Sequence, residues 1–322
     1  MINLNDIIKE TVLLPVSYLL DPSRRIYLGY IFSSILIGTL FYYFKHKRHF
    51  LDCFKLVFCT KNWLSKSSFV DYTLFILGLL FKRFLIVPYL FLGTYCSFLL
   101  SELMTNIFGE INNSNISNYY IALSYPVILF FVKDFFVFIT HYFLHKNKFL
   151  WEFHKVHHSA TSLNFFTLYR MHPLEILLQN LQGLVAFILV TGIYFYFNNS
   201  IVAKATVFGV NTFNFIFFIF GANLRHSNIP LSYPKWIEKI FISPYQHQIH
   251  HGNLPQQCHS NFGSRLAIWD YIFGTLTFSE KYPVEKLSFG LPEKQNIMFS
   301  NTVYGNMASP FFKIFCMIKR KK

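Results

Sequence analysis

Charged residues are scarce in this chain: 14% of its 322 residues are Asp, Glu, Lys or Arg, against about 25% in soluble domains. With 53% hydrophobic residues, too little polar surface remains to cover a globule in water. Intrinsic disorder, which needs low hydrophobicity and high charge, is excluded by the same balance. Acid is scarcer still. Fifteen Asp and Glu stand against 29 Lys and Arg, a formal net charge of +14. In an apolar chain that excess marks loops on the cytoplasmic, anionic-lipid side of a membrane, not a nucleic-acid partner. The five cysteines (Cys53, Cys59, Cys96, Cys258 and Cys316) are odd in number and form no CxxC pair, which argues against a disulfide framework and a Cys-based zinc site. There is no HExxH helix, no HPGG haem motif, no GxGxxG loop and no Cys-rich iron–sulfur segment. A zinc protease, a fused electron carrier and a dinucleotide site are thereby unsupported. Acids, Pro15 and the Arg24-Arg25 pair occupy the first 25 residues without a small-residue cleavage site, so no cleavable signal peptide is expected.

What is abundant is apolar and aromatic: 41 Phe and 20 Tyr. A membrane span needs roughly 20 apolar residues. Stretches 26–44, 84–100, 121–140 and 174–197 meet that need, and 201–220 follows the last after only Asn198-Asn199-Ser200. The final two read as a helical hairpin, whereas 73–81 is too short to span and suits the interface or a re-entrant segment. Residues 101–120 and the turn 198–200 hold no Lys or Arg, while 45–83 hold eight and 221–322 hold twelve. The rich segments belong inside. The expected fold is an all-α integral membrane protein with four to five transmembrane helices and a cytoplasmic helical cap. Residues 1–110 are expected to form an N-terminal membrane region and 111–322 a second region of membrane helices plus the cytoplasmic cap.

Thirteen histidines are not scattered. His141 and His145 end the third span at i,i+4 spacing, which puts both imidazoles on one helix face. His154, His157 and His158 follow in an HxxHH pattern, and His247, His250 and His251 repeat that pattern downstream. All three boxes fall on the side that the Lys and Arg distribution marks as inner. Eight neutral imidazoles exceed the four ligands of one tetrahedral zinc and suit two metals with open positions. Neutral ligands leave the metal pair its positive charge, which suits dioxygen chemistry at a di-iron centre.

In order and membrane setting these boxes resemble the fatty acid hydroxylase/sterol desaturase superfamily. Asn223 to Asn228, Ser243 to His251, Asn261-Phe262-Gly263 and Trp269 to Thr275 extend the resemblance, which covers roughly residues 120 to 280. The spacing is similar to that of bacterial sterol-desaturase-like proteins and alkylglycerol monooxygenases. Members are membrane di-iron enzymes that use O₂ and an external reductant to hydroxylate or desaturate lipids. The resemblance implies His141, His145, His154, His157, His158, His247, His250 and His251 as iron ligands, with His226 as a further one. Zinc is the alternative occupant in recombinant material. It also implies a fatty acyl, sterol or ether-lipid substrate in the membrane and a cytochrome b5-like or ferredoxin-like electron donor docking on the basic face. The expected location is the bacterial inner membrane, or the endoplasmic reticulum in a eukaryote.

Around the boxes, Asp134 is expected as a carboxylate partner of a metal-bound imidazole, since it precedes His141 by seven residues within a span. Glu152 and Asp270 are weaker candidates for the same role. His172 reads either as site-lining or as a cap on the next helix, His259 as a weaker site candidate, and His46 and His49 as surface residues. Asn211 and Asn214 read as buried amides of the fifth span. Two other functions stay open: a desaturase with the same ligands, and a histidine-rich metal transporter. A transporter would place its ligands near the membrane midplane, whereas these boxes lie at span ends and beyond.

Overall fold

The computed structural model describes residues 4–89, 91–111, 118–198, 206–207, 210–292 and 302–320. Helices α1 (Leu4–Leu20) and α2 (Leu28–His46) open the chain, and α2 stops where Lys47 turns left-handed at φ 49°. Then come α3 (Phe50–Val57), α4 (Thr60–Trp63) and α5 (Lys66–Leu85). Three long helices follow: α6 (Leu92–Phe108), α7 (Asn118–Lys146) and, after the short α8 (Lys148–His158), α9 (Pro173–Asn198). A two-residue antiparallel ladder, Thr206–Val207 with Val210–Asn211, precedes α10 (Thr212–Ile219). Short helices α11 (Lys235–Glu238), α12 (Pro244–His250), α13 (Pro255–Cys258) and α14 (Ile268–Phe273) build the region beyond, and α15 (Val303–Lys319) closes the chain.

Three of these helices are long and apolar enough to cross a membrane: Leu28–His46, Leu123–Lys146 within α7, and Pro173–Asn198. A fourth crossing exists if α3–α4 and α5, bent by 77°, make one broken span. They expose large apolar side chains such as Phe32, Phe44, Ile128 and Phe131, as a lipid-facing surface requires. The helix α6 lies along α9, and α9 along α7. Their close approach depends on Gly192, where a Cβ would come within 2.9 Å of the Ser97 carbonyl. Small residues of this kind let membrane helices pack backbone to backbone. Tyr125 and Thr191 add a 2.9 Å hydroxyl contact between α7 and α9.

Two expected spans are corrected. The stretch 84–100 is not one helix: α5 ends at Leu85, a single 3-10 turn occupies Val87–Tyr89, and α6 begins at Leu92. Pro88 in that turn has no N–H to donate, so it removes one bond of a continuing helix. The segment 73–81, expected in the interface or as a re-entrant segment, is the middle of α5, the second arm of the pair bent by 77°. The fifth span is not continuous either. Parts of it, 201–205 and 208–209, lie outside the described residues, as does most of the hairpin turn. Within the rest, Asn211 is an N-cap, its Oδ1 accepting from Phe213 N at 3.1 Å and Asn214 N at 3.4 Å. That cap starts an eight-residue helix, too short to cross.

A polar clamp ties α5 to the segment after α8. Asp71 and Arg170 form a fully buried ion pair at 3.0 Å. The same carboxylate accepts from Thr167 Oγ1 at 2.7 Å and Asn164 Nδ2 at 3.0 Å. Arg170 Nε also donates to the Val156 carbonyl and to Ser159 Oγ, at 3.1 and 3.0 Å. This fixes the C-terminal end of α8, where two of its histidines lie.

Candidate metal centre

Four short pieces of chain converge to build the site. The last turns of α7 bring His141 and His145. Helix α8 starts on Asn147, whose Oδ1 accepts from Phe149 N at 2.9 Å and Leu150 N at 3.2 Å, and delivers His154, His157 and His158. A 3-10 turn over Ala222–His226 brings His226. Helix α12 starts with a reciprocal Ser243–Gln246 capping box and Pro244 in its first turn, a pattern that fixes both the start and the rotation of a helix. It brings His247 and His250, and His251 follows at its C-terminus.

These nine residues fall into two groups whose ring nitrogens lie within 4.8 Å of one another: His141, His145, His154, His158 and His250 in the first, His157, His226, His247 and His251 in the second. All nine are buried. The partition follows from helix geometry. On α8, His154 and His158 share a face at i,i+4 and enter the first group, while His157, rotated by about 100° from His158, enters the second. On α12 the roles reverse: His247 and His251 share the second group and His250 enters the first. Neighbours in sequence therefore face different centres, and the centres adjoin, with the His158 and His251 rings stacked at 4.8 Å between centroids.

The hydrogen bonds select the nitrogens that point inward. His141 Nδ1 donates to the Phe262 carbonyl at 2.8 Å, His250 Nδ1 to the Ser260 carbonyl at 2.7 Å, and His154 Nδ1 to Glu175 Oε1 at 2.8 Å. Each bond fixes the tautomer and leaves Nε2 as the basic nitrogen. The Nε2 atoms of His141 and His154 then face each other at 3.1 Å. In the second group His226 Nε2 lies 3.1 Å from His251 Nε2 and 3.2 Å from His247 Nε2. Both ring nitrogens of His145 and of His158, and Nε2 of His250, are buried without a hydrogen-bond partner. Buried imidazole nitrogens that converge without partners are costly in an empty protein and fit metal ions as ligands. Burial, reinforced by neighbouring imidazoles, holds His154, His158, His226, His247 and His251 well below the usual imidazole pKa of 6.5. For His157 burial lowers it to about 3. The ligand set is therefore neutral, the form that binds metal.

A cavity of about 320 Å³ touches both groups, bordered by His141, His154, His157, His226 and His247. The N-terminal region reaches it too, through Tyr18, Arg24, Arg25 and Lys82.

Asp134, Glu152 and Asp270, expected as carboxylate partners of a histidine, engage other groups. Asp134 contacts no histidine among its hydrogen-bond partners; it accepts from Arg265 Nη1, Leu266 N and Trp269 Nε1 at 3.1 to 3.2 Å. Seven helical residues span about 10 Å along the axis, beyond the reach of a carboxylate to the His141 ring. The carboxyl partner is Glu175, which sequence reasoning did not single out. His172 is a cap, its Nδ1 accepting from Leu174 N at 3.1 Å, with its ring against Phe153 and Phe311. Glu152 pairs with Lys155 at 2.5 Å. Asp270 accepts from Phe262 N at 2.8 Å and Gly263 N at 2.7 Å, so it orders the loop whose carbonyls orient His141 and His250. His259, with Cys258 and His145, forms a third, partly exposed set of donors. His46 and His49 are exposed.

Comparison with known proteins gives likenesses to set beside this geometry. Residues 126–275, just under half of the chain, match the family model described as Fatty acid hydroxylase, the superfamily that the histidine boxes resemble. Among curated relatives, alkylglycerol monooxygenase of Caenorhabditis elegans is 26% identical over 180 residues, 55% of this chain and 31% of that protein. Ornithine lipid hydroxylase OlsE of Rhizobium tropici is 26% identical over 157 residues, 48% of this chain and 42% of that protein. Alkylglycerol monooxygenase of Danio rerio is 30% identical over 137 residues, 42% of this chain and 26% of that protein. In each case the match spans less than half the length of the relative. No solved structure matches the chain.

Proposed function

We propose that this protein is an O₂-dependent lipid monooxygenase with two iron ions, one in each histidine group, acting at the cytoplasmic face of the membrane. The observation that carries the reading is the pair of adjacent, buried, all-histidine groups that share one cavity. The relatives named as lipid hydroxylase and monooxygenase support it. When bound, the metals supply the redox chemistry that O₂ and an unactivated C–H bond require. Insertion of one oxygen atom consumes O₂, two electrons and two protons and releases water. The electrons come from an external donor of cytochrome b5 or ferredoxin type.

The chain's own share is positioning and shielding. His141, His145, His154, His158 and His250 hold one ion, and His157, His226, His247 and His251 the other. Glu175 and the carbonyls of Ser260 and Phe262 keep three of these rings in the tautomer that offers Nε2. Buried helices around the groups exclude bulk water, and the cavity admits the substrate between the histidines and the N-terminal region. Residues 111–322 carry the histidines, and 1–110 complete the wall. Desaturation by the same ligands is the second reading, since it differs only in how a second hydrogen meets the centre.

Metal analysis of the purified protein should find two iron ions per chain, and lipid extracts of expressing cells should show a species heavier by one oxygen atom. His157→Ala and His250→Ala should each lose metal and abolish that species while the protein still inserts into membranes. A species lighter by two hydrogens would favour the desaturase. Loose metal with flux across vesicles would replace both readings by a transporter.

A further inference from the structure

Apart from its histidines and Glu175, the charged residues that line the cavity touching both groups are cations. Arg24 and Arg25 from the turn between α1 and α2, Lys82 from the last turn of α5, and Arg225 beside His226 all line it. Its one carboxyl group, Glu175, is engaged by His154. Arg24 is matched by Asp21 at 3.0 Å. Among the described residues no carboxylate forms an ion pair with Arg25, Lys82 or Arg225. Two of these cations also carry buried N–H groups without a partner. Arg25 places Nη2 on the Ala222 carbonyl at 2.5 Å but leaves Nε unpartnered, and Arg225, only 2% exposed, leaves Nη2 unpartnered. Like charges gathered around one cavity, with buried N–H groups left without a hydrogen-bond partner, cost free energy unless an anion completes them.

We propose that this cavity binds the anionic headgroup of the substrate lipid, a phosphate or carboxylate, through Arg25, Lys82 and Arg225, with Arg24 at its edge. The assignment rests on the lipid-oxidation reading and narrows its substrate class. A lipid, not a free anion, is indicated by a second cavity of about 720 Å³ that Arg225 also borders. That space is apolar, with Phe130, Phe213, Phe217 and Phe241 in its walls, and gives an alkyl chain a lining beside the charged one. With the headgroup against the histidine wall, the oxidised carbon lies near the polar end of the lipid.

The test is equilibrium binding to the full chain in neutral detergent micelles, without turnover. The ligands are phosphatidic acid, the diacylglycerol of the same chains, and inorganic phosphate. Phosphatidic acid should bind more tightly than diacylglycerol. Arg25→Gln and Lys82→Gln should each weaken phosphatidic acid about tenfold, the effect of one charge-assisted hydrogen bond, and leave diacylglycerol unchanged. Arg25→Lys, which keeps the charge, should retain most of the preference, and thermal melting identifies variants that fold. Equal affinity for the two lipids, or a preference that survives both Gln substitutions, overturns the assignment. Displacement by equimolar inorganic phosphate also overturns it, in favour of a soluble anion. Because binding is read without chemistry, the oxygen-insertion assay can still succeed when this test fails.

Discussion

Glu175→Ala is the most informative substitution in the site. Glu175 Oε1 accepts the Nδ1–H of His154 at 2.8 Å, both residues are 2% exposed or less, and the other carboxylate oxygen has no partner. Among the described residues, the hydrogen bond to His154 is thus the sole one that this carboxyl group makes. Removing it frees the His154 ring to rotate and to take the wrong tautomer, and it makes Nε2 less basic. Losing such a supporting partner costs about 10- to 100-fold in metal affinity, equivalent to about 1.4 to 2.7 kcal/mol. The assay is a competition titration of the purified protein against a metal-buffering chelator, read as metal content per chain. Since His154 belongs to the first group only, the weakening should fall on one ion of the two. Asp134→Asn is the control. Its carboxylate holds Arg265, Leu266 and Trp269, so it should lower the melting temperature more than the metal affinity. Wild-type metal affinity in Glu175→Ala, or a larger affinity loss in Asp134→Asn, would refute the assignment of the carboxylate partner.

Arg170→Met should destabilise the fold by about 3–5 kcal/mol, because it leaves Asp71 charged in a fully buried place; the double variant with Asp71→Leu should recover much of that loss, as thermal melts can show. Acid should unfold the metal-free site region. The folded pKa of His157 is depressed to about 3 from 6.5, so the unfolded chain takes up a proton that the native state does not. Stability contributed by such a histidine is present above pH 6.5 and is lost as the pH falls toward about 3. Denaturation of the apoprotein followed across that range should show a decline on acidification; a stability independent of pH would contradict a neutral, buried cluster.

Much of the site could be read from spacing alone, because i,i+4 pairs on helices must share a face. The division of the histidines between two centres could not. It depends on where α8 and α12 are placed, and the placement of α8 rests on its Asn147 cap and on Arg170, which reaches from Asp71 to the Val156 carbonyl and Ser159 Oγ on either side of His157 and His158. Glu175 escaped notice because its partner lies 21 residues away on another helix, a tertiary contact with no periodic signature. Asp134 misled for the opposite reason: two turns on one face satisfy periodicity while missing the ring by most of their axial length. Hydropathy overstated the fifth span, since an average over apolar residues does not register that the Asn211 side chain caps a backbone end. In the second stretch it likewise passed over Pro88.

The alternation of adjacent histidines between the two groups has a mechanical consequence. His157 and His158 are joined by a single peptide unit, as are His250 and His251. Peptide units are stiff and each pair sits in a hydrogen-bonded helical turn, so the offset between the two centres is constrained by backbone at two places as well as by packing. A repacked core or a shifted membrane helix would therefore move the centres together before it moved them apart. Their separation is thereby tied to backbone, whatever sequence drift reshapes the walls around them.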